Sequence, residues 1–245
     1  MRPAGPLLVL LLAAGPAGAW EGGPHRIMTR AALASLPAAR LAAFGSELNA
    51  LAETYCMLPD YYAAMLHYGF RAPRPAPQSL DEAVPYCLRP DREPVHSAAW
   101  DRRDDLASLL FLYERILDAL RHRRPAEAAR YAGVLAHFLE DSLSPPHVVG
   151  QPPDVHAALE KRIPPLSLAG RSPRLAGAGV VPAAEAILNR LYAAADINRG
   201  NMPALLQAHA RKDQNAIAAL CFEPARAAAE LVADSLYTLL EFAAR

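Results

Sequence analysis

Strand-like alternation of apolar and polar residues is missing over any useful length, and no internal repeat runs through the chain, which excludes sheet-built and solenoid architectures. A basic excess is missing too. Lys+Arg 25 against Asp+Glu 25 leaves a formal net charge of +0, so any contact with a polyanion is local rather than spread over the surface. Past the first twenty residues, no apolar run is long enough to span a bilayer. Cysteine is scarce. Cys56, Cys87 and Cys221 suit one disulfide and one leftover thiol in an exported chain. Cys56–Cys87 is the expected pair, because both flank a proline-rich stretch, and Cys221 is expected to pack as a small hydrophobe.

The first residues read as a secretory signal: Arg2 gives a positive start, residues 7–14 a short apolar core, and Ala17-Gly18-Ala19 a small-residue cleavage site. The expected location is secreted or periplasmic. Cleavage after Ala19 makes Trp20 the first mature residue and leaves one domain, 20–245, of about 225 residues with a sizeable core.

Helical spacing dominates that domain. Helices are expected over 27–36, 39–55, 101–122, 125–142, 154–162, 183–195 and 225–244, with a further helical stretch between the last two. The stripe Leu106, Leu109, Leu110, Tyr113, Ile116, Leu117 and Leu120 is the strongest of these signals. Pro125 opens one helix, and Pro145-Pro146 closes it. Residues 71–95, rich in proline, are expected to form a long surface loop. The fold class is all-α, a single-domain multi-helix bundle with a metal cluster at one end of the core helices.

Metal-ligating residue types gather in spaced groups. His137 and Asp141 are four apart, so they project from one helix face. His147 follows just past the double proline, and His156 with Glu160 repeats the four-residue spacing. One such pair is usually an exposed ion pair. Two of them, bracketing a loop histidine, point instead to a divalent metal bound through imidazole and carboxylate, with zinc the best fit. Glu140, beside Asp141, is expected to lie off the metal-facing side.

The run His137-Phe138-Leu139-Glu140-Asp141, then His147, His156 and Glu160, resembles the core of the bacterial zinc-dependent phospholipases C and the related fungal single-strand zinc nucleases. Members of that superfamily begin with a mature Trp whose α-amino nitrogen and carbonyl oxygen ligate zinc, and Trp20 follows the expected cleavage site directly. Where they carry a glycine before the bridging aspartate, this chain has Glu140.

The resemblance implies three Zn2+ ions. Trp20 and His25 would hold one, with Asp141 bridging to a second that Asp60, His137 and another histidine complete. His147, His156 and Glu160 would hold the third. Two histidines compete for the open place, and His96 is preferred to His67 because it directly precedes the helix at 101. Asp60, expected in a loop, would also orient or deprotonate the attacking water. His122 and His209 are expected to be solvated bystanders.

The implied activity is zinc-dependent phosphodiester hydrolysis, with a phospholipid or nucleotide phosphodiester as substrate, possible transient contact with a membrane surface, and no stable protein partner. Glu21 and Tyr61 would cage a choline head group by charge and cation–π contact, which tips the reading narrowly to phospholipase C. The alternatives are a single-strand nuclease or 3'-nucleotidase, with Tyr62, Phe70 or Trp100 as base platforms, and a non-catalytic helical binding protein that uses zinc as a staple.

Overall fold

The computed structural model describes residues 22–160 and 163–245; the expected signal sequence, Trp20 and Glu21 lie outside the described residues. The chain is an all-α single-domain bundle. The helices are α1 (Gly22–Ala34), α2 (Ala38–Leu41), α3 (Leu48–Glu53), α4 (Leu58–Tyr68), α5 (Leu80–Cys87), α6 (Arg102–Arg121), α7 (Pro125–Leu143), α8 (Pro145–Val149), α9 (Pro153–Glu160), α10 (Val180–Ala210) and α11 (Gln214–Ala243). Short 3-10 turns at Ala42–Glu47 and Tyr55–Met57 join the first of them. Among the described residues the only strand-like pairing is an isolated bridge between Leu88 and Pro94.

The bundle is organised around α7. Pro125 sits in its first turn, where a missing N–H costs nothing, and every residue from Tyr131 to Leu143 is buried. A helix buried on all sides is a core helix, and α1, α3, α4, α6, α10 and α11 all pack on it. Small residues permit this crowding. A Cβ on Gly133 would lie 2.3 Å from the Tyr55 carbonyl carbon, so only glycine lets the Tyr55–Met57 turn settle on α7. Asp101 caps α6, its side chain accepting from the backbone N–H groups of Arg103 and Asp104.

Four expectations need correction. The proline-rich stretch contains α5, whose N-cap Ser79 accepts from Glu82 N–H while the Glu82 carboxylate accepts from Gln78 N–H. Asp60 lies in the first turn of α4, not in a loop. The two C-terminal helices are far longer than expected, 31 and 30 residues, and run through Pro203 and Pro224. Cys56 and Cys87 are free and buried, and so is Cys221. The Cys56 thiol donates to the Ala52 carbonyl at 3.2 Å, so the 71–95 segment is held by α5 and its cap rather than by a disulfide.

Candidate metal centre

Five helices and the loop at His96 deliver side chains to one place. Residue 137 lies four positions after Gly133, on the face that meets the Tyr55–Met57 turn. His137 Nδ1–H therefore donates to the Cys56 carbonyl at 2.8 Å, which leaves Nε2 as the free ligand atom. One helical turn later stands Asp141, fully buried. His25 Nε2 approaches its Oδ1 at 3.3 Å. Its Oδ2 faces His96 Nδ1 at 3.2 Å, His137 Nε2 at 3.3 Å and His147 Nε2 at 3.5 Å. Asp60 joins through Oδ1, 3.2 Å from His96 Nε2 and 3.8 Å from His137 Nε2. His156, on α9, packs its ring on that of His147 with centroids 4.5 Å apart.

The loop histidine is held by its surroundings. Directly after His96, Ala98 N–H donates to Ser142 Oγ and Ala99 N–H to Asp105 Oδ1, both at 2.7 Å. Trp100 adopts a left-handed φ of 61° and sends its indole N–H to the His147 carbonyl at 3.1 Å. A non-glycine residue in that region is strained. Here the strain is offset by tying two ligand-bearing segments together. His147 itself follows Pro145 and Pro146 in the first turn of α8.

These groups fit a metal. His25 Nε2, His137 Nε2 and both oxygens of Asp141 are buried without a hydrogen-bond partner among the described residues, although lone pairs and carboxylate oxygens crowd together there. Leaving such atoms unpaired costs several kcal/mol. A shared cation removes that cost. Two triads have ligand atoms mutually close enough to hold an ion: His25, His137 and Asp141, and Asp60, His96 and His137.

The titration behaviour matches a carboxylate core ringed by imidazoles. Burial opposes charge on Asp141, yet His147, His137 and His25 hold it well below the usual carboxylate range. Burial likewise opposes charge on Asp60, and His137 and His96 keep it low. Burial opposes protonation of His25, but Asp141 and Glu140 outweigh it and push its pKa up to about 10. Burial wins at His147, which is pushed down to about 4.

Of the expected site residues, the fold brings together His25, Asp60, His96, His137, Asp141, His147 and His156. Glu160 closes α9, but its side chain lies outside the described residues, as do Trp20 and Glu21. His67, the competing histidine, stands in the last turn of α4 and belongs to neither ligand triad found among the described residues. His122 is exposed and paired with Asp118, away from the site. A cavity of about 710 Å³ opens beside the cluster, lined among others by Asp60, Tyr61, His67, Phe70, Val95 and His96. Tyr61 and Phe70 stack across it with centroids 6.0 Å apart. Leu66, Tyr68 and Phe70 are exposed at its edge.

Glu140 overturns an expectation. Its side chain is fully buried against the centre, with Oε2 accepting from His25 Nδ1 at 2.6 Å and Oε1 from the Thr29 hydroxyl at 2.8 Å. The spacing contained the signal: 137, 140 and 141 share one helix face, and so do 25 and 29.

Comparison with protein-family models, with curated protein sequences and with solved structures returned no match. Among the described residues no helix is long and apolar enough to cross a membrane.

Proposed function

We propose that this chain is an exported, zinc-dependent phosphodiester hydrolase, with phospholipase C chemistry favoured. The observation that carries the reading is the gathering of His25, Asp60, His96, His137 and His147 around Asp141, where His25 Nε2, His137 Nε2 and both Asp141 oxygens are buried without a hydrogen-bond partner among the described residues. His25 and Asp141, with Trp20, would hold the first of three zinc ions. Asp60, His96 and His137 would share Asp141 with the second. His147, His156 and Glu160 would hold the third. Zinc supplies activated water near neutral pH and neutralises charge on phosphate oxygens.

The chain's own residues do the rest. Asp60, on the wall of the 710 Å³ cavity, orients the attacking water and accepts its proton. Tyr61 and Phe70 give the substrate a stacked aromatic wall beside that carboxylate. The exposed Leu66, Tyr68 and Phe70 favour a lipid surface, since grouped apolar side chains at the mouth of a site mark a contact region. Glu21 and Tyr61 would take the head group.

Parallel assays of the mature protein on phosphatidylcholine vesicles, single-stranded DNA and a chromogenic phosphodiester separate the readings. Diacylglycerol release that a chelator stops is the expected result. Cleavage of DNA alone would replace the lipid substrate with a nucleic acid. Zinc without turnover of any of the three would leave the metal as a structural staple.

A further inference from the structure

Glu140 is a buried carboxylate that the ligand set leaves unused. It stands three residues after His137 and directly before Asp141, and α1 supplies both groups that hold it. His25 and Thr29, one turn apart on α1, each reach a different oxygen of the same carboxylate, at 2.6 and 2.8 Å. All three side chains are fully buried. The His25 ring is also stacked on that of His137, with centroids 4.3 Å apart and planes inclined by 21°. The stack sets the ring plane, and the carboxylate decides which nitrogen faces which way. With Nδ1–H committed to Glu140, Nε2 faces Asp141 Oδ1 at 3.3 Å.

We propose that Glu140 is the positioning residue for His25: it keeps the proton on Nδ1, turns Nε2 toward Asp141, and so tightens the metal position that His25 and Asp141 share. A carboxylate behind a ligating histidine fixes the tautomer and raises ligand basicity, and its loss typically weakens metal affinity 10–100-fold. Thr29 steadies Glu140 in turn. For its consequence, though not its geometry, the inference rests on the zinc reading above.

The test compares the wild-type mature protein with Glu140→Ala and Glu140→Gln. Zinc content and chelator competition are read alongside the His25 Nδ1 proton in nitrogen-resolved NMR. Wild type is expected to show a protected, downfield Nδ1 proton and tight zinc. Glu140→Ala should lose that signal and bind one zinc equivalent about 10–100-fold more weakly. Glu140→Gln should fall between, because its amide oxygen can still accept from His25 while the Thr29 hydroxyl turns to accept from the amide.

If Glu140→Ala does not fold, the glutamine variant decides alone, with weakened zinc at one position supporting the role and unchanged affinity opposing it. A folded alanine variant that retains the Nδ1 proton and wild-type affinity would overturn the inference and leave the zinc reading standing. A wild-type protein that binds no zinc would remove both.

Discussion

Two aspartates are buried to the same degree in this protein, and their surroundings could hardly differ more. Asp234, on α11, is fully satisfied: Oδ2 accepts from Arg171 at 2.6 Å and Arg190 at 2.7 Å, and Oδ1 from the Arg174 backbone N–H at 2.8 Å. Asp141, on α7, meets four imidazoles at 3.2–3.5 Å, and neither of its oxygens has a hydrogen-bond partner among the described residues. A buried charge must be compensated. At Asp234 the compensating cations are arginines, and the product is a fastening that ties the 163–179 segment to α11. Thr238 completes that fastening by accepting from Ala176 N–H at 2.9 Å. At Asp141 the neighbours are imidazoles, side chains that can carry a proton or ligate a metal, and two of them form with it a group that could hold an ion. One site is closed by the chain's own arginines; the other could hold a cation.

Asp141→Asn puts the largest strain on that contrast. If Asp141 bridges two metal positions as proposed, removing its charge should cost more affinity than the roughly 10–100-fold expected of a residue that only supports a ligand. Zinc titration with hydrolysis assays checks this, and near-wild-type binding would take Asp141 out of the centre.

A smaller loss is expected from one extra residue before Trp20. An α-amino group with an ordinary pKa near 7.7–8.0 is easily deprotonated for zinc, but a preceding peptide bond removes it as a ligand. The extended protein should fold and lack one zinc equivalent, while Trp20→Phe with a native start should keep its zinc. Mass spectrometry and metal analysis of both forms decide the matter.

Acidity gives a graded effect. In the metal-free protein His25 keeps its proton up to about pH 10, and zinc needs that proton displaced from Nε2. Zinc affinity should therefore rise with pH from 6 to 9, with protons released in calorimetry across buffers of different ionisation enthalpy. The two perturbed histidines act oppositely on metal-free stability. His25, raised, stabilises the fold below its ordinary value near 6.5, and the benefit disappears as pH climbs through about 10. His147, lowered, is stabilising above that ordinary value, and its contribution is lost as pH falls through about 4. Melting curves of the metal-free protein across that range check both signs.

The smallest effect on metal is expected at the other aspartate. Asp234→Asn strips the counter-charge from two arginines and should destabilise by about 3–5 kcal/mol, yet leave zinc stoichiometry at the wild-type value. Loss of zinc in a still-folded Asp234→Asn protein would mean that the two sites are coupled.

What could be read in the sequence followed from how locally it was encoded. The faces of α6 and α7 were legible because their large apolar residues repeat at helical steps, and His137 with Asp141 was legible for the same reason. The choice of His96 over His67 rested on position relative to the Asp101 cap, and His96 is the one at the cluster. Helix α5 was hidden by the prolines around it, although Ser79 followed three residues later by Glu82 is the sequence signature of a helix start. The helix expected over 225–244 begins eleven residues earlier: α11 starts at Gln214, and the side chain of its N-cap Asp213 accepts from Ala216 N–H. Buried Ile217 and Cys221 on its early face offset an interior proline that costs about 3 kcal/mol. Glu140 was misread because its partners lie 111 and 115 residues away, a contact that helix spacing suggests only once α1 and α7 are known to touch.

Metal analysis of the purified mature protein, before and after exhaustive chelation, tests the metal centre most directly. About three equivalents of zinc, with a lower melting temperature and no hydrolysis after chelation and recovery on adding zinc back, is the predicted result. A protein purified without metal, equally stable and equally active, would contradict it.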